Sequence, residues 1–101
     1  MEMEYVILHV YYMCRAGQAE AFVQALKSSG LQGKVQAEDG CIQYDYHLSL
    51  EEKDVVVLLE KWSSAAALEK HLAQPHMADI RALKEQYVDD ARLEKYLCRD
   101  M

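Results

Sequence analysis

Residues 41–62, CIQYDYHLSLEEKDVVVLLEKW, carry the clearest structural signal of the sequence. Apolar and polar side chains alternate along Cys41–Leu48, which is typical of a strand with one face on a core. The chain is almost continuously apolar along Val55–Trp62, which also predicts a strand. The polar link at 49–54 is short enough for a hairpin. The region therefore predicts two paired antiparallel strands.

Helical patterns lie on both sides of this hairpin. Before it, four apolar side chains recur at helical spacing, and a weaker helical piece follows as far as Gly40: Ala19, Phe22, Val23 and Leu26. After it, Ser63 or Ser64 can cap a helix, and Pro75 stops that helix and can begin the next one. Beyond Pro75, four residues recur at the helical spacing i, i+4, i+7 and i+11: His76, Ile80, Leu83 and Tyr87.

Two further strands complete the pattern. Tyr5–Met13 is rich in Val, Ile and Tyr and predicts the first strand, and Ala91–Cys98 predicts the last. The order is strand, helix, strand, strand, helix, strand. It predicts an α+β fold of the ferredoxin-like, split βαβ type, with helices on one face of a four-stranded antiparallel sheet. A chain of 101 residues suits a single domain, 1–101.

The sheet is too apolar for one layer of helices. Val55–Leu59 is apolar at five consecutive positions, so both faces of that strand avoid water. Two helices cover only one face. The other face predicts a homodimer in which two sheets pack together about a two-fold axis.

Composition narrows the class of partner. The net charge is -6, from 17 acidic and 11 basic residues, and no Lys/Arg cluster occurs, so neither nucleic acid nor a membrane surface is an expected partner. The apolar stretch near the N-terminus is too short to span a bilayer. The three cysteines have no CxxC spacing, which argues against a disulfide framework and fits the cytoplasm.

The candidate functional residues cluster in 60–77, EKWSSAAALEKHLAQPHM. Glu60 and Trp62 share one strand face, either as core residues or as the wall of a pocket. His71 and His76 flank apolar helical stripes, which is compatible with a core or a functional role. They are five positions apart with Pro75 between them, and no third ligand is spaced to join them. No metal site is therefore predicted.

Several motifs resemble the antibiotic biosynthesis monooxygenase (ABM) family, most closely its quinol-monooxygenase branch. They are RAGQAEAF at 15–22, EDGCIQY at 38–44, LLEKW at 58–62 and SSAAALEKHLAQPHM at 63–77. The resemblance spans nearly the whole chain and implies the dimeric α/β barrel fold. It also implies a pocket between sheet and helices within each subunit, with Trp62 and His71 at its edge.

Two branches of the superfamily are not matched. Haem-degrading relatives need an Asn and a ligating His, and these positions align with Val10 and Arg81. Haem degradation is therefore not expected. Polyketide-oxidising relatives contact substrate through an Asn and a Tyr, where this chain has Leu58 and Leu68. That particular polyketide chemistry is not expected either.

The resemblance implies a cofactor-independent monooxygenase or quinol oxidase that acts on a small dihydroxyaromatic or quinol-type substrate. His71 is the predicted catalytic base, since imidazole commonly serves as a base near neutral pH. Trp62 offers a face for the ring, and Glu60 or Arg81 sets the local charge. The predicted substrate-binding residues are Trp62, Glu60, Tyr44, His76 and Arg81. Neither a cofactor nor a metal is expected.

Two other classes of function remain open on the sequence. An isomerase of a small phosphorylated or hydroxyketone metabolite would use a similar pocket and base without consuming oxygen. A non-catalytic dimer that binds a small molecule would need the pocket but no base.

Overall fold

The computed structural model describes residues 4–100, in which strands and helices follow the predicted order. The elements are β1 (Glu4–Cys14), α1 (Ala19–Ser28), α2 (Leu31–Gln36), β2 (Cys41–Leu48), β3 (Val55–Trp62), α3 (Ala65–Leu72), α4 (Met77–Tyr87) and β4 (Val88–Arg99). Each predicted helical connection consists of two helices. The α+β class and the ferredoxin-like order are confirmed.

The four strands form one antiparallel sheet in the order β2-β3-β1-β4. In β1 every second side chain is buried beneath the helices: Val6, Leu8, Val10, Tyr12 and Cys14. The intervening side chains are only partly buried. The alternation expected of strands therefore defines an inner face toward the helices and an outer face away from them.

The core lies between the inner face and the four helices. Phe22 and Leu26 of α1, Leu68 of α3 and Ile80 of α4 are buried against Leu58 of β3 and its neighbours. Phe22 packs edge-on to Tyr12, with ring centroids 5.6 Å apart. Full burial of one such large apolar side chain stabilises the fold by about 1.5–3 kcal/mol. These contacts hold α3 and α4 over the sheet, where the candidate site lies.

The outer face has no helix over it in the part of the chain that the structure describes. Ile7 and Tyr11 of β1 and Val57 and Leu59 of β3 lie there, and each is partly buried by neighbouring side chains. Beyond the sheet, no helix between residues 4 and 100 is long and apolar enough to cross a membrane.

Two local details differ from the sequence-based predictions, and a third, the serine cap of α3, agrees with them. β2 is irregular between Cys41 and Gln43, so Ile42 is exposed and does not share the buried face of Tyr44. Pro75 lies in the turn before α4, and that helix begins two residues later than predicted. The cap of α3 is Ser64, whose side chain accepts a hydrogen bond from the backbone N–H of Ala67.

β4 is longer than predicted, and part of it is uncovered. Leu93 and Leu97 are on the helix side of this edge strand, yet they are 57% and 71% exposed because the helices do not extend over them. The charged residues Arg92 and Glu94 interrupt the apolar pattern of this strand in the sequence. Their side chains lie on the outer face, where Arg92 is opposite Tyr11 of β1 and Glu94 is opposite His9.

Gly40 is predicted to be the glycine that tolerates substitution least. Its φ is +85°, and a Cβ there would lie 2.5 Å from Ala67 Cβ and 2.8 Å from Ser63 Oγ. We expect Gly40→Ala to lower the free energy of unfolding by about 1–3 kcal/mol from backbone strain alone, with the clash in addition. Urea unfolding followed by circular dichroism measures it.

Gly33→Ala is the matched control for that substitution. Gly33 lies in α2, has open space at its Cβ position and needs no positive φ. We expect this change to stabilise the protein by about 0.5–1 kcal/mol. Equal effects of the two substitutions would contradict the close packing of Gly40 on α3.

Candidate functional site

A cleft of about 220 Å³ lies between the inner face of the sheet, α3 and α4. Its lining is mostly apolar, with five polar side chains among the apolar ones: Leu8, Val10, Tyr12, Tyr44, Glu60, His71, Leu72, Met77, Lys84, Ala91 and Leu93. All four strands and both C-terminal helices contribute to it. An apolar cleft with a few convergent polar groups is the usual form of a small-molecule site.

His71 is fixed in the wall of the cleft by a carboxylate. Its Nδ1 lies 2.8 Å from Oε2 of Glu38, in the turn between α2 and β2. His76 Nε2 lies 2.9 Å from the same oxygen. A carboxylate accepts hydrogen bonds, so in the neutral ring of His71 the proton lies on Nδ1 and the lone pair on Nε2.

Trp62 and Glu60 support His71 from the sheet side. The indole stacks on the imidazole with ring centroids 4.5 Å apart, and its Nε1 donates a hydrogen bond to Glu60 Oε1 at 3.1 Å. Glu60 Oε1 in turn lies 3.9 Å from His71 Nε2. The ring of His71 is therefore held on one side by Glu38 and on its face by Trp62.

Glu60 is a buried carboxyl group at the floor of the cleft. Burial raises its pKa above the ordinary value, although the Trp62 hydrogen bond and the nearby His71 and Lys84 oppose that shift. Burial disfavours the ionised form of any carboxyl group in this way. Perturbed groups of this kind are common at functional sites.

Lys84 brings an amine into the same cleft from α4. Burial lowers its pKa, Glu60 opposes the shift and Arg81 adds to it. Its Nζ lies 5.1 Å from the centre of the Tyr12 ring. The cleft thus contains an acidic group and a basic group whose pKa values are displaced in opposite directions by burial.

Three tyrosines line or adjoin this region. Burial raises the pKa of Tyr12, Tyr44 and Tyr46 above the ordinary value. The hydroxyl groups of Tyr44 and Tyr46 lie 3.1 Å apart, and the Tyr44 ring meets His71 edge-on at 5.9 Å. These phenols keep their protons near neutral pH and can donate hydrogen bonds.

The structure brings together only part of the predicted site. His71, Glu60 and Tyr44 line the cleft as predicted. The following three do not line it: Trp62, His76 and Arg81.

Each of these three has a different position from the predicted one. Trp62 is fully buried and packs on His71, so it is a core ring and offers no open face to a ligand. His76 instead contacts Glu38, and Arg81 lies on the exposed side of α4. These three side chains therefore lie in supporting or surface positions, and their contact with substrate stays a prediction.

Three lining or supporting residues were absent from the predicted set. Tyr12 has the strand parity of Val10, and Lys84 follows Ile80 by one helical turn, so both could have been found by pattern. Glu38 had no such signal, because it lies in a turn 33 positions before His71 in the sequence. The reason given against a metal site, the lack of a third ligand, is wrong, since Glu38 joins the two histidines.

A larger surface groove, of about 460 Å³, lies at the β2–β3 turn. Its charged lining residues Glu20 and Lys53 are exposed and Asp54 is half-buried, and the groove contains none of the buried polar groups described above. The smaller cleft is therefore the better candidate for a functional site.

The raised pKa of Glu60 predicts how stability depends on pH. A carboxyl group with a raised folded-state pKa stabilises the fold fully below its unfolded pKa, and this contribution is lost as pH rises through the folded pKa. Relative to Glu60→Gln, the wild-type protein should become progressively less stable as pH rises above the ordinary carboxyl pKa of about 4. Urea unfolding of both proteins across this range tests the sign. A difference that is constant, or that changes in favour of the wild type, would contradict it.

Comparison with known proteins places the chain in a family. The family model of antibiotic biosynthesis monooxygenases, ABM, matches residues 5–83. A search of curated protein sequences found no match.

Solved structures show the same fold. A protein from Shewanella oneidensis superposes with a TM-score of 0.83 at 24% identity, over 96% of this chain and 93% of that one. One from Bacteroides thetaiotaomicron, named as a possible oxidoreductase of unknown function, gives 0.81 at 26% identity over 94% and 98%. One from Deinococcus radiodurans, provisionally named an antibiotic biosynthesis monooxygenase, gives 0.78 at 25% identity over 90% and 89%. With the family model matching most of its length, this chain belongs to the antibiotic biosynthesis monooxygenase family.

Proposed function

We propose that the protein is a cofactor-independent oxidase or monooxygenase that acts on a small dihydroxyaromatic or quinol-type substrate. Family membership supports the monooxygenase-like role. The observation that carries the proposal is the placement of His71, with Nδ1 bonded to Glu38 and the ring in the wall of an apolar cleft. The quinol preference follows from the motifs shared with the quinol-monooxygenase branch.

His71 is the proposed base. Because Nδ1 donates its proton to Glu38, Nε2 has the lone pair and lies on the side of the ring toward Glu60. A phenolic O–H in the cleft can transfer its proton to that nitrogen. Glu38 is a positioning residue, since it fixes the ring orientation and stabilises the imidazolium that forms.

The size of the cleft favours a single substituted ring. An apolar protein cavity of about 150 Å³ can bind benzene. The volume here, about 220 Å³, accommodates one ring with a few substituents. Leu8, Val10 and Leu93 supply an apolar surface on which the ring can pack.

The polar groups suit an anionic intermediate. Lys84 as an ammonium and the protonated hydroxyl groups of Tyr12 and Tyr44 can stabilise a phenolate. Glu60, with its pKa raised by burial, adds less negative charge than an exposed carboxyl group would.

The proposed reaction needs only the substrate and O₂. The deprotonated hydroquinone gives one electron to O₂, which forms a semiquinone radical and superoxide. The semiquinone then gives a second electron to superoxide. With the transfer of two protons in total, the products are quinone and hydrogen peroxide. If the radical pair instead recombines at a ring carbon, one oxygen atom stays on the ring as a hydroxyquinone and the other leaves as water.

An oxygen electrode tests the proposal. Purified protein is added to a series of monocyclic hydroquinones, and catalase is then added to reveal any peroxide. We expect oxygen uptake above the uncatalysed rate, with oxygen returned by catalase for the oxidase course and none for the monooxygenase course. Uptake at the background rate for every compound would refute the proposal.

The amine of Lys84 supports one alternative. A half-buried cation in the same cleft as a base could bind an anionic metabolite, as an isomerase of a small phosphorylated compound requires. Such an enzyme would convert its substrate without consuming oxygen. The same electrode, together with a proton NMR assay of phosphorylated hydroxyketones, separates the two functions.

We also propose that the single domain works as a homodimer through the outer faces of two sheets. Ile7, Tyr11, Val57 and Leu59 give that face an apolar centre, and among residues 4–100 no helix covers it. Light scattering should give twice the chain mass at micromolar concentration, and a monomer would contradict it. The three free cysteines are compatible with a cytoplasmic location.

A further inference from the structure

We propose that Glu38, His71 and His76 form a binding site for a divalent transition-metal ion, with Zn²⁺ as the reference ion. Three ligand atoms converge there: Oε2 of Glu38, Nδ1 of His71 and Nε2 of His76, all within 4.8 Å of one another. Two imidazoles and one carboxylate are the ligand set of many catalytic zinc sites.

Side-chain rotations of His71 and His76 would bring the three ligand atoms to the spacing that an ion needs. Zinc lies about 2.0–2.2 Å from nitrogen and oxygen ligands, so tetrahedral ligands are about 3.3 Å apart. The two imidazole nitrogens now lie 2.8 and 2.9 Å from the carboxylate oxygen. Each nitrogen must therefore move about half an ångström away from the oxygen, and the two nitrogens, up to 4.8 Å apart, must approach each other by up to about 1.5 Å.

One of the three proposed ligands is more exposed than the other two, which gives a metal ion a path into the site. The His71 side chain is 2% exposed and that of Glu38 8%, whereas His76 is 15% exposed. An ion can therefore approach past His76, and three protein ligands leave one tetrahedral position for water. The ligands come from the α2–β2 turn, from α3 and from the turn before α4, all anchored by the core.

Glu60 could support a bound ion by accepting a hydrogen bond from its ligand His71. A histidine that ligates through one nitrogen usually donates the N–H of the other to a carboxylate. With the metal on Nδ1 of His71, the proton must lie on Nε2, which is 3.9 Å from Glu60 Oε1. A small rotation of either side chain brings these two atoms within hydrogen-bond distance.

Metal binding would then inhibit the oxidation. A proton on Nε2 turns the proposed base into a donor, so His71 can no longer accept the phenolic proton. This regulatory consequence depends on the proposed function, whereas the metal site itself does not. His71 would therefore act either as a free base or as a metal ligand.

Calorimetric titration with Zn²⁺ tests the site on protein freed of affinity tags and dialysed against a chelator. We expect one ion per chain for the wild type and for His47→Gln, whose histidine is exposed on β2. His76→Gln should bind at least about tenfold more weakly, by analogy with the loss of supporting groups at metal sites. Equal affinity of His76→Gln, or no binding by a folded wild type, would overturn the proposal.

A spectrum of the imidazole nitrogens gives a second readout. Zn²⁺ should shift Nδ1 of His71 and Nε2 of His76 in long-range nitrogen–proton NMR spectra, and shifts at His9 or His47 instead would overturn the site. Oxygen uptake is measured in parallel with and without Zn²⁺. Zinc binding without effect on an active enzyme would overturn only the inhibitory role, and zinc binding by a protein inactive on every hydroquinone would refute the proposed function but leave the site in place.

Discussion

His71→Asn is expected to slow oxygen uptake on a responsive hydroquinone by about a hundredfold to ten-thousandfold, the usual contribution of a positioned base. Asn places its amide near the position of Nδ1, so it can still donate a hydrogen bond to Glu38. It has no atom equivalent to Nε2. The substitution therefore removes the base and keeps the contact that holds the turn before β2.

The loss should fall on kcat, because His71 contributes one wall of the cleft while the apolar lining that binds the ring is unchanged. His47→Asn is the matched control, since it removes an exposed imidazole from β2. Circular dichroism verifies that both variants are folded. An active His71→Asn, with kcat near that of the wild type, would show that another group takes the proton, and Glu60 would then be the next candidate to test.

Strand patterning made most of the fold predictable. The alternation around Tyr44 and the apolar run at Val55–Leu59 define a hairpin, because side chains on successive strand residues point to opposite faces. β4 was less well defined, since Leu93 and Leu97 are not covered by a helix and its charged residues face outward. An exposed edge strand lacks the burial that produces a clear apolar pattern.

The candidate site was predictable where it follows from one element at a time. Strand parity placed Glu60 on the inner face, and proximity to an apolar stripe identified His71, whereas parity alone could not select Tyr44 from the other tyrosines. Glu38 depends on how α3 packs over the turn before β2, which is set by contacts between distant segments. Periodicity within a helix or strand has no information on such a contact.

The sequence-based prediction that His71 and His76 form no metal site also relied on spacing within a single element. His71 and His76 are badly spaced for two ligands on one continuous helix. The chain is not one helix there: α3 ends at Leu72, and the turn that contains Pro75 redirects it before α4 begins. That turn brings both imidazoles to the same oxygen of Glu38. Spacing rules for helical ligands therefore do not apply across this segment.

Trp62→Ala is expected to lower the free energy of unfolding by about 3–5 kcal/mol. The indole is fully buried, stacks on His71 and donates to Glu60, so the change leaves a cavity and removes a donor from a buried carboxyl group. Urea unfolding of the variant and the wild type measures the loss. A domain of this size is typically stable by about 5–15 kcal/mol, so the Ala variant could be partly unfolded.

If Trp62→Ala is partly unfolded, Trp62→Phe still tests the role of the indole. The smaller ring retains much of the packing and loses the N–H donor, for which we expect a loss of about 1–3 kcal/mol. Trp62 does not line the cleft, so KM for a responsive hydroquinone should stay unchanged, and any decrease should appear in kcat through His71. A raised KM with unchanged kcat would instead show that the indole binds substrate directly. The pair of variants thus separates a ring that supports the base from a ring that contacts the ligand.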